Sequence, residues 1–320
     1  SNNASLFALA RLNNDGSLDT SFGTGGKVTS DVTAASDSGY SLALQSDGKI
    51  LMAGAGNNNF AVVRYNSNGT LDSSFGTGGK VETDLAGGTD FSRTVLVNTD
   101  GTILVSGYSS FGDFALVKYT STGALDTSFG SGTGKVLTDI SGSDVAVDMA
   151  VQSDGKIILG GYNGGFNSTL VRYNVNGSLD TSFGSNGKVT TTISSGSFIE
   201  GLAVRPDGRI VAGVTATVGG NRDFAIISYL PDGSIDPLFN TASITNTLDG
   251  APTYTENGSA VILDNNVKIF DSELSLSNYN GATLTLTRNG GASSQDIFSA
   301  TGTLSTLTQS GNLVVGGITV

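Results

Sequence analysis

The chain has 320 residues, of which 46 are glycine and only 14% are charged, with a formal net charge of −12. Such a surface repels phosphate backbones and anionic lipid heads, which excludes nucleic-acid binding and membrane insertion and favours cations as small partners. With no cysteine and no histidine, disulfides, thiolate nucleophiles and Ser-His triads are ruled out, and any chemistry must rest on carboxylates, Lys, Arg or Tyr.

Abundant Gly, Ser, Thr and Asn predict many tight turns between short strands, and so an all-β chain. Residues 7 to 32 carry two short apolar runs, FALARL and KVTSDV. They read as the third and fourth strands of a sheet whose first two strands are missing. Such a half-blade leaves an open edge, expected to be completed by sequence upstream or by strands of another copy, which would make the protein an oligomer or polymer.

From Tyr40 the pattern fills out. YSLALQSDGKILMAG is two runs around Asp47-Gly48, FAVVRY from Phe60 is a third, and KVETDL from Lys80 is a fourth. The same grammar returns with turns at Asp100-Gly101, Asp154-Gly155 and Asp207-Gly208. Four strands per repeat predict a β-propeller of four complete blades, spanning roughly 40 to 85, 92 to 140, 147 to 193 and 200 to 248. The strand before each hairpin turn is expected to line the axis, and the GKV strand to lie outermost.

Between the third and fourth strands stands a marker: LDTSFGTGGKV from Leu18, with copies from Leu71, Leu125 and Leu179 and a worn one, IDPLFN, from Ile235. Its phenylalanines, Phe22, Phe75, Phe129, Phe183 and Phe239, step by 53, 54, 54 and 56 residues. Asn13, Asp15 and Asp19 have the look of a calcium loop, but the first two positions drift to Thr and Leu in later copies. What persists is an apolar residue, an aspartate and the phenylalanine. These predict a loop stapled to neighbouring blades by Leu and Phe, with an aspartate that accepts backbone N–H groups. No metal or cofactor is expected in the propeller.

The combination of LDTSFGTGGKV, ALQSDGKILMAG and FALARLNNDG resembles the delta-sixty repeat family. The resemblance implies an extracellular or cell-surface β-propeller and brings no catalytic residues with it. From Asp249 the marker ceases, and the strand-like DGAPTYTENGSAVILDNNVKIFDSELSL resembles the start of a cadherin-like β-sandwich module of bacterial adhesins. That likeness implies calcium, with Asp249, Glu256, Asp271 and Glu273 as candidate ligands. The domains expected are therefore residues 1–248 and 249–320.

Counting seven residues back from each turn aspartate reaches the expected channel mouth at Tyr40, Arg93, Val147 and Glu200, with Asp148 one step later in its blade. Glu200 and Asp148 form the one carboxylate pair that could serve glycoside hydrolysis. Tyr40, Tyr108, Phe111, Tyr162 and Phe166 could stack on sugars. The leading reading is a non-catalytic structural and interaction module of a secreted or cell-surface adhesin, with other modules or surface molecules as partners. A carbohydrate-binding propeller is the alternative, and strand-complemented self-assembly and a carboxylate hydrolase are further ones. Calcium is expected to raise the thermal midpoint of the purified chain and a chelator to reverse the rise. A midpoint indifferent to both removes calcium from the four tail residues.

Overall fold

The computed structural model describes residues 5–33, 36–193, 195–237 and 239, together with two short strands near the C-terminus. The chain divides into two compact units, Ser1–Phe239 and Asn240–Val320. In the first, short apolar runs closed by Gly-containing turns form antiparallel meanders. β1 (Phe7–Ala10) and β2 (Lys27–Ser30) pair with each other as a two-stranded half-blade. The first blade is β3 (Asp37–Leu44), β4 (Ile50–Gly56), β5 (Asn59–Tyr65) and β6 (Lys80–Thr83). The second is β7 (Phe91–Val97), β8 (Ile103–Tyr108), β9 (Phe114–Tyr119) and β10 (Lys135–Thr138). The third is β11 (Val145–Val151), β12 (Ile157–Tyr162), β13 (Ser168–Tyr173) and β14 (Lys188–Thr191).

The fourth blade shows β15 (Ser197–Val204), β16 (Ile210–Val218) and β17 (Asn221–Tyr229). The residues expected to form its outermost strand lie outside the described residues, as do Asp249, Glu256, Asp271 and Glu273. In the second unit β18 (Val314–Val315) pairs with β19 (Ile318–Thr319). No helix among the described residues is long and apolar enough to cross a membrane.

The chain is thus all-β and built of four-stranded propeller blades, with the hairpin turns where the Asp-Gly pairs place them. Gly48 has φ 81°, a left-handed value that a Cβ would strain, and the Lys49 N–H donates to the Asp47 carboxylate at 3.1 Å. Inner strands β3, β7, β11 and β15 pack against one another in sequence. Val95 of β7 packs into the core of the first blade, and Met149 of β11 into that of the second. Alternation predicts the same inward role for Leu42, which occupies the corresponding place on β3. It is instead 53% exposed, and Leu44 is exposed beside it, because among the described residues the half-blade has only β1 and β2 and no inner strand covers them. On β17 the same holds at the other end of the row: Phe224 is 98% exposed, whereas its counterparts Phe60 and Phe114 are fully buried.

The marker loops tie each blade to the next. Phe22, Phe75, Phe129 and Phe183 are completely buried, and each such burial is worth about 1.5–3 kcal/mol relative to exposure. The leucines contribute unevenly: Leu125 and Leu179 are half-buried against the blade cores, whereas Leu18 and Leu71 stay exposed, so the phenylalanine is the constant part of the staple. Over the rings of Phe22, Phe75 and Phe183 lie the guanidinium groups of Arg11, Arg64 and Arg172, 4.7, 4.6 and 4.3 Å from the centroids. Each donates from Nε to the marker aspartate (Asp19, Asp72, Asp180) at 2.8 Å. Each then reaches from Nη1 to a turn carbonyl of the following blade, on Ser67, Ser121 or Pro231. The marker aspartates also accept the N–H and hydroxyl of the serine two residues on, as at Asp72 and Ser74. Turn bonding likewise occupies Asp15, which takes the N–H and hydroxyl of Ser17.

Hydrogen bonds from Ser74, then Lys49 and Arg64, hold Asp72 well below the ordinary carboxylate value of 3.8 against the cost of its burial. At Asp180 burial opposes the charge, and Ser182, Lys156 and Arg172 outweigh it. A depressed folded-state pKa stabilises fully above the unfolded value and loses that stabilisation as the pH falls below it. Acid unfolding is therefore expected to begin below about pH 4. Asp72→Ala, which strands the buried Arg64, is expected to cost about 3–5 kcal/mol, read as a lower urea midpoint with an unchanged slope.

Candidate functional site

Each inner strand carries a β-bulge at the same place. The pairing register steps past Tyr40 between Gly39 and Ser41, past Arg93 between Ser92 and Thr94, past Val147 between Ala146 and Asp148, and past Glu200 between Ile199 and Gly201. The residues chosen by counting back from the turns are thus the extra, unpaired residues of four bulges, which re-aim a side chain out of the ladder. The inner strands continue past the bulge and start at 37, 91, 145 and 197, up to three residues earlier than the expected blade limits.

In the first three blades the residue after the bulge stitches neighbouring inner strands together. Ser41 Oγ accepts the Val95 N–H at 3.1 Å, and Thr94 Oγ1 donates to the Val147 carbonyl at 3.1 Å. Asp148 accepts the Leu202 N–H on Oδ2 at 2.7 Å and the Met149 N–H on Oδ1 at 2.8 Å. Both oxygens of Asp148 are engaged by backbone, so it is a strand tie. The carboxylate pair expected of it with Glu200 loses that member.

The bulge residues and the ends of the second strands meet in an aromatic and cationic row. The Arg93 guanidinium lies 4.9 Å from the Tyr40 ring centroid across the blade boundary and 5.6 Å from that of Tyr108. Phe91 stacks on Tyr108 at 5.2 Å. Farther along, Tyr162 meets Phe198 edge-on at 4.8 Å, Phe166 lies 6.0 Å from Phe198, and Arg222 sits 5.8 Å over the same ring. Burial pushes the Tyr162 hydroxyl up, with Tyr108 and Glu200 adding to the shift and Arg93 opposing it, so these four groups share one electrostatic neighbourhood. Phe111 is exposed, but among the described residues no ring contact joins it to this row.

Phe166 carries a conformational cost. Its φ is 57°, in the left-handed region where a bulky residue is an outlier. Its carbonyl accepts the Ser197 N–H at 2.8 Å, as the carbonyls of Asn58 and Gly112 accept those of Asp90 and Asp144. At the place where other blades use Asn or Gly, this one holds a phenyl ring 56% exposed. Strain of this kind costs about 1–3 kcal/mol and clusters at ligand sites.

The same clamp exposes residues that counting seven back missed. Counting ten back from the turn aspartates gives Asp37, Asp90, Asp144 and Ser197, all buried. Asp37 accepts the Val32 N–H at 2.7 Å, Asp90 that of Leu85 at 2.9 Å and Asp144 that of Ile140 at 2.6 Å, so they fasten each outer strand to the next inner one. The constant offset was the available signal. Carboxylate oxygens of Asp144, Asp113 and Asp139 lie within 4.8 Å of one another. Burial first, then Asp139 and Asp144, pushes the Asp113 carboxyl up. A raised carboxylate pKa penalises the folded state once the group ionises. Asp113→Asn is accordingly expected to raise the thermal midpoint at pH 7, with the gain shrinking as the pH falls towards 4.

No curated protein matches the sequence. Among solved structures, virginiamycin B lyase from Staphylococcus aureus with quinupristin aligns at 12% identity and TM-score 0.38 over 72% of this chain and 73% of that one. The catalytic domain of a Coprinopsis cinerea GH62 α-L-arabinofuranosidase aligns at 12% identity and TM-score 0.36, over 62% and 67%. An exo-1,5-α-L-arabinanase from a bovine ruminal metagenomic library aligns at 11% identity and TM-score 0.26, over 65% and 100%. Likeness at this level leaves function to be argued from the chain's own residues. The family described as Domain of unknown function (DUF5122) beta-propeller matches residues 1–22, 45–75, 99–129, 152–183 and 205–239. Tyr40, Arg93, Val147 and Glu200 all fall in the gaps between those segments, which contain the hairpin turns and marker loops. Over residues 1–239 the chain is therefore similar to DUF5122 β-propeller repeats, five segments of which match.

Proposed function

We infer that the chain is a non-catalytic interaction module of a secreted or cell-surface adhesin-like protein, and that the mouth of its propeller binds carbohydrate. The observation that supports this best is Phe166. A rigid blade-to-blade clamp accepts Asn or Gly at that position, and here it bears the energetic cost of a left-handed phenylalanine whose ring is left in solvent. Phe198 and Tyr162 beside it, and Tyr108 and Tyr40 around Arg93, supply further aromatic faces, the surface on which sugar rings stack. Glu200 and the tyrosine hydroxyls add hydrogen-bonding groups for sugar hydroxyls. The cadherin-like tail, with calcium at Asp249, Glu256, Asp271 and Glu273, would set the spacing of this mouth from neighbouring modules.

Self-association is a second reading, favoured by the apolar residues left exposed at the two ends of the row of blades, Leu42 and Leu44 at one and Phe224 and Ile226 at the other. Phe166→Asn restores the residue type that the first blade uses. It is expected to leave the thermal midpoint unchanged or higher while weakening oligosaccharide binding about tenfold, a loss of about 1.4 kcal/mol. Calorimetric titration against a panel of neutral and acidic oligosaccharides checks this, and a variant that binds as tightly as the unaltered chain removes the mouth from the reading.

A further inference from the structure

We propose that the sugar taken by this mouth is acidic: a uronate whose carboxylate is received by Arg93, with the sugar rings laid along Tyr40, Tyr108 and the Phe198–Phe166 pair. The proposal rests on the carbohydrate reading above and deepens it.

It starts from how the chain disposes of its arginines. Among the described residues, Arg11, Arg64, Arg172, Arg205 and Arg209 each lie within 4.0 Å of an aspartate oxygen. Two described arginines, Arg93 and Arg222, have no such carboxylate, and both sit over aromatic rings of the mouth. In a chain with 28 acidic and 16 basic residues, pairing is the easy outcome. Two unpaired guanidinium groups in one row are therefore notable for their placement as well as their number. Arg93 is the better placed of the two. Among the described residues its one hydrogen bond to protein is a long one, 3.5 Å from Nη2 to the Tyr108 hydroxyl, and its Nε is buried with no acceptor.

A guanidinium with spare donors in a fixed fork matches a carboxylate bidentately, and a charge-assisted pair of this kind is stronger than a neutral hydrogen bond. Tyr40 and Tyr108, on either side, hold the plane of the fork by cation–π contact and offer ring faces of their own. Glu200 stands two blades on at the corresponding bulge, with Val147 between. The mouth is therefore polar along its length, cationic at Arg93 and anionic at Glu200. An acidic sugar enters with its carboxylate towards Arg93 and its hydroxyls towards Glu200, because the reverse orientation sets two carboxylates against each other. The same polarity disfavours a uniformly acidic partner.

The test is calorimetric titration of the full chain with a neutral oligosaccharide bearing a single uronate and with the same oligosaccharide after that carboxyl group has been reduced to an alcohol. The acid form is expected to bind at least about tenfold tighter, a difference of about 1.4 kcal/mol, and to weaken as salt is raised. Arg93→Gln should bring the two affinities together by weakening the acid form far more than the neutral one. The comparison of the two ligands on the unaltered protein decides the matter even if the variant folds poorly. Equal affinity for acid and reduced forms overturns the acidic ligand and leaves the carbohydrate reading standing. Failure of both forms, and of every other oligosaccharide tried, overturns the two together. A poly-glutamate peptide that binds as tightly as the uronate overturns the assignment to a sugar.

Discussion

In each repeat that has one, a marker arginine lies flat on a buried phenylalanine, grips an aspartate with its Nε and rests one arm on the backbone of the next blade. The rest of the propeller unit depends on this contact. A four-stranded sheet cannot bury two faces by itself, and a row of sheets gains stability only through the seams between them. The marker loop is a long surface connection with little secondary structure, and without a fixed point it would sample many conformations. The phenylalanine anchors it by desolvation, the aspartate orients the guanidinium, and the carbonyl of the following blade receives what is left. The acidic composition supplies carboxylates in excess, and the repeat engages one per blade at this spot.

The bulge on each inner strand separates scaffold from site. One extra residue breaks the ladder and turns its side chain towards the mouth. The next residue, Ser41, Thr94 or Asp148, hydrogen-bonds to the neighbouring inner strand. Side chains at the bulge are then released from the requirements of pairing, which is why Tyr, Arg, Val and Glu occupy one structural position in successive blades without disturbing the sheets. The stitching residue has no such freedom. Asp148 illustrates the difference: it stands one step from Val147, yet its carboxylate is committed to two amide groups. Chemistry-bearing residue types one position apart can thus belong to different layers of the design.

Much of this was legible in the sequence, and the failures share a cause. A fixed period, Asp-Gly turns and alternating runs expose strand number and order because they are properties of one sheet. The mouth position was found by counting from the turns, since a bulge that recurs in every copy keeps its offset. Its being a bulge was hidden, because one unpaired residue leaves no mark on a pattern read strand by strand. Alternation named the face of β3 that holds Leu42 and Leu44. It could not report that, among the described residues, no inner strand of the half-blade covers them. The unpaired state of Arg93 and the left-handed turn at Phe166 were also out of reach, because both are relations between blades or facts of backbone geometry. Asp37, Asp90 and Asp144 differ in kind: their spacing was present in the sequence, ten residues ahead of each turn.

The seams between blades are not alike. Where Arg11, Arg64 and Arg172 stand in three repeats, the second blade has Lys118, which reaches Asp126 at 3.2 Å and lies 5.9 Å from the Phe129 ring. An ammonium has no second arm. Among the described residues it makes no bond to the turn carbonyl of Val175, the counterpart of Ser67, Ser121 and Pro231. The boundary between the second and third blades therefore keeps the buried phenylalanine and the backbone bond from Gly130 to Asn176 but lacks the cross-blade guanidinium clasp. Nearer the mouth the same boundary is still crossed by the Thr94–Val147 and Asp144–Gly112 bonds, so the seam that separates Arg93 from Tyr162 and Phe166 is fastened at its inner side and left to a lone ammonium at its marker loop.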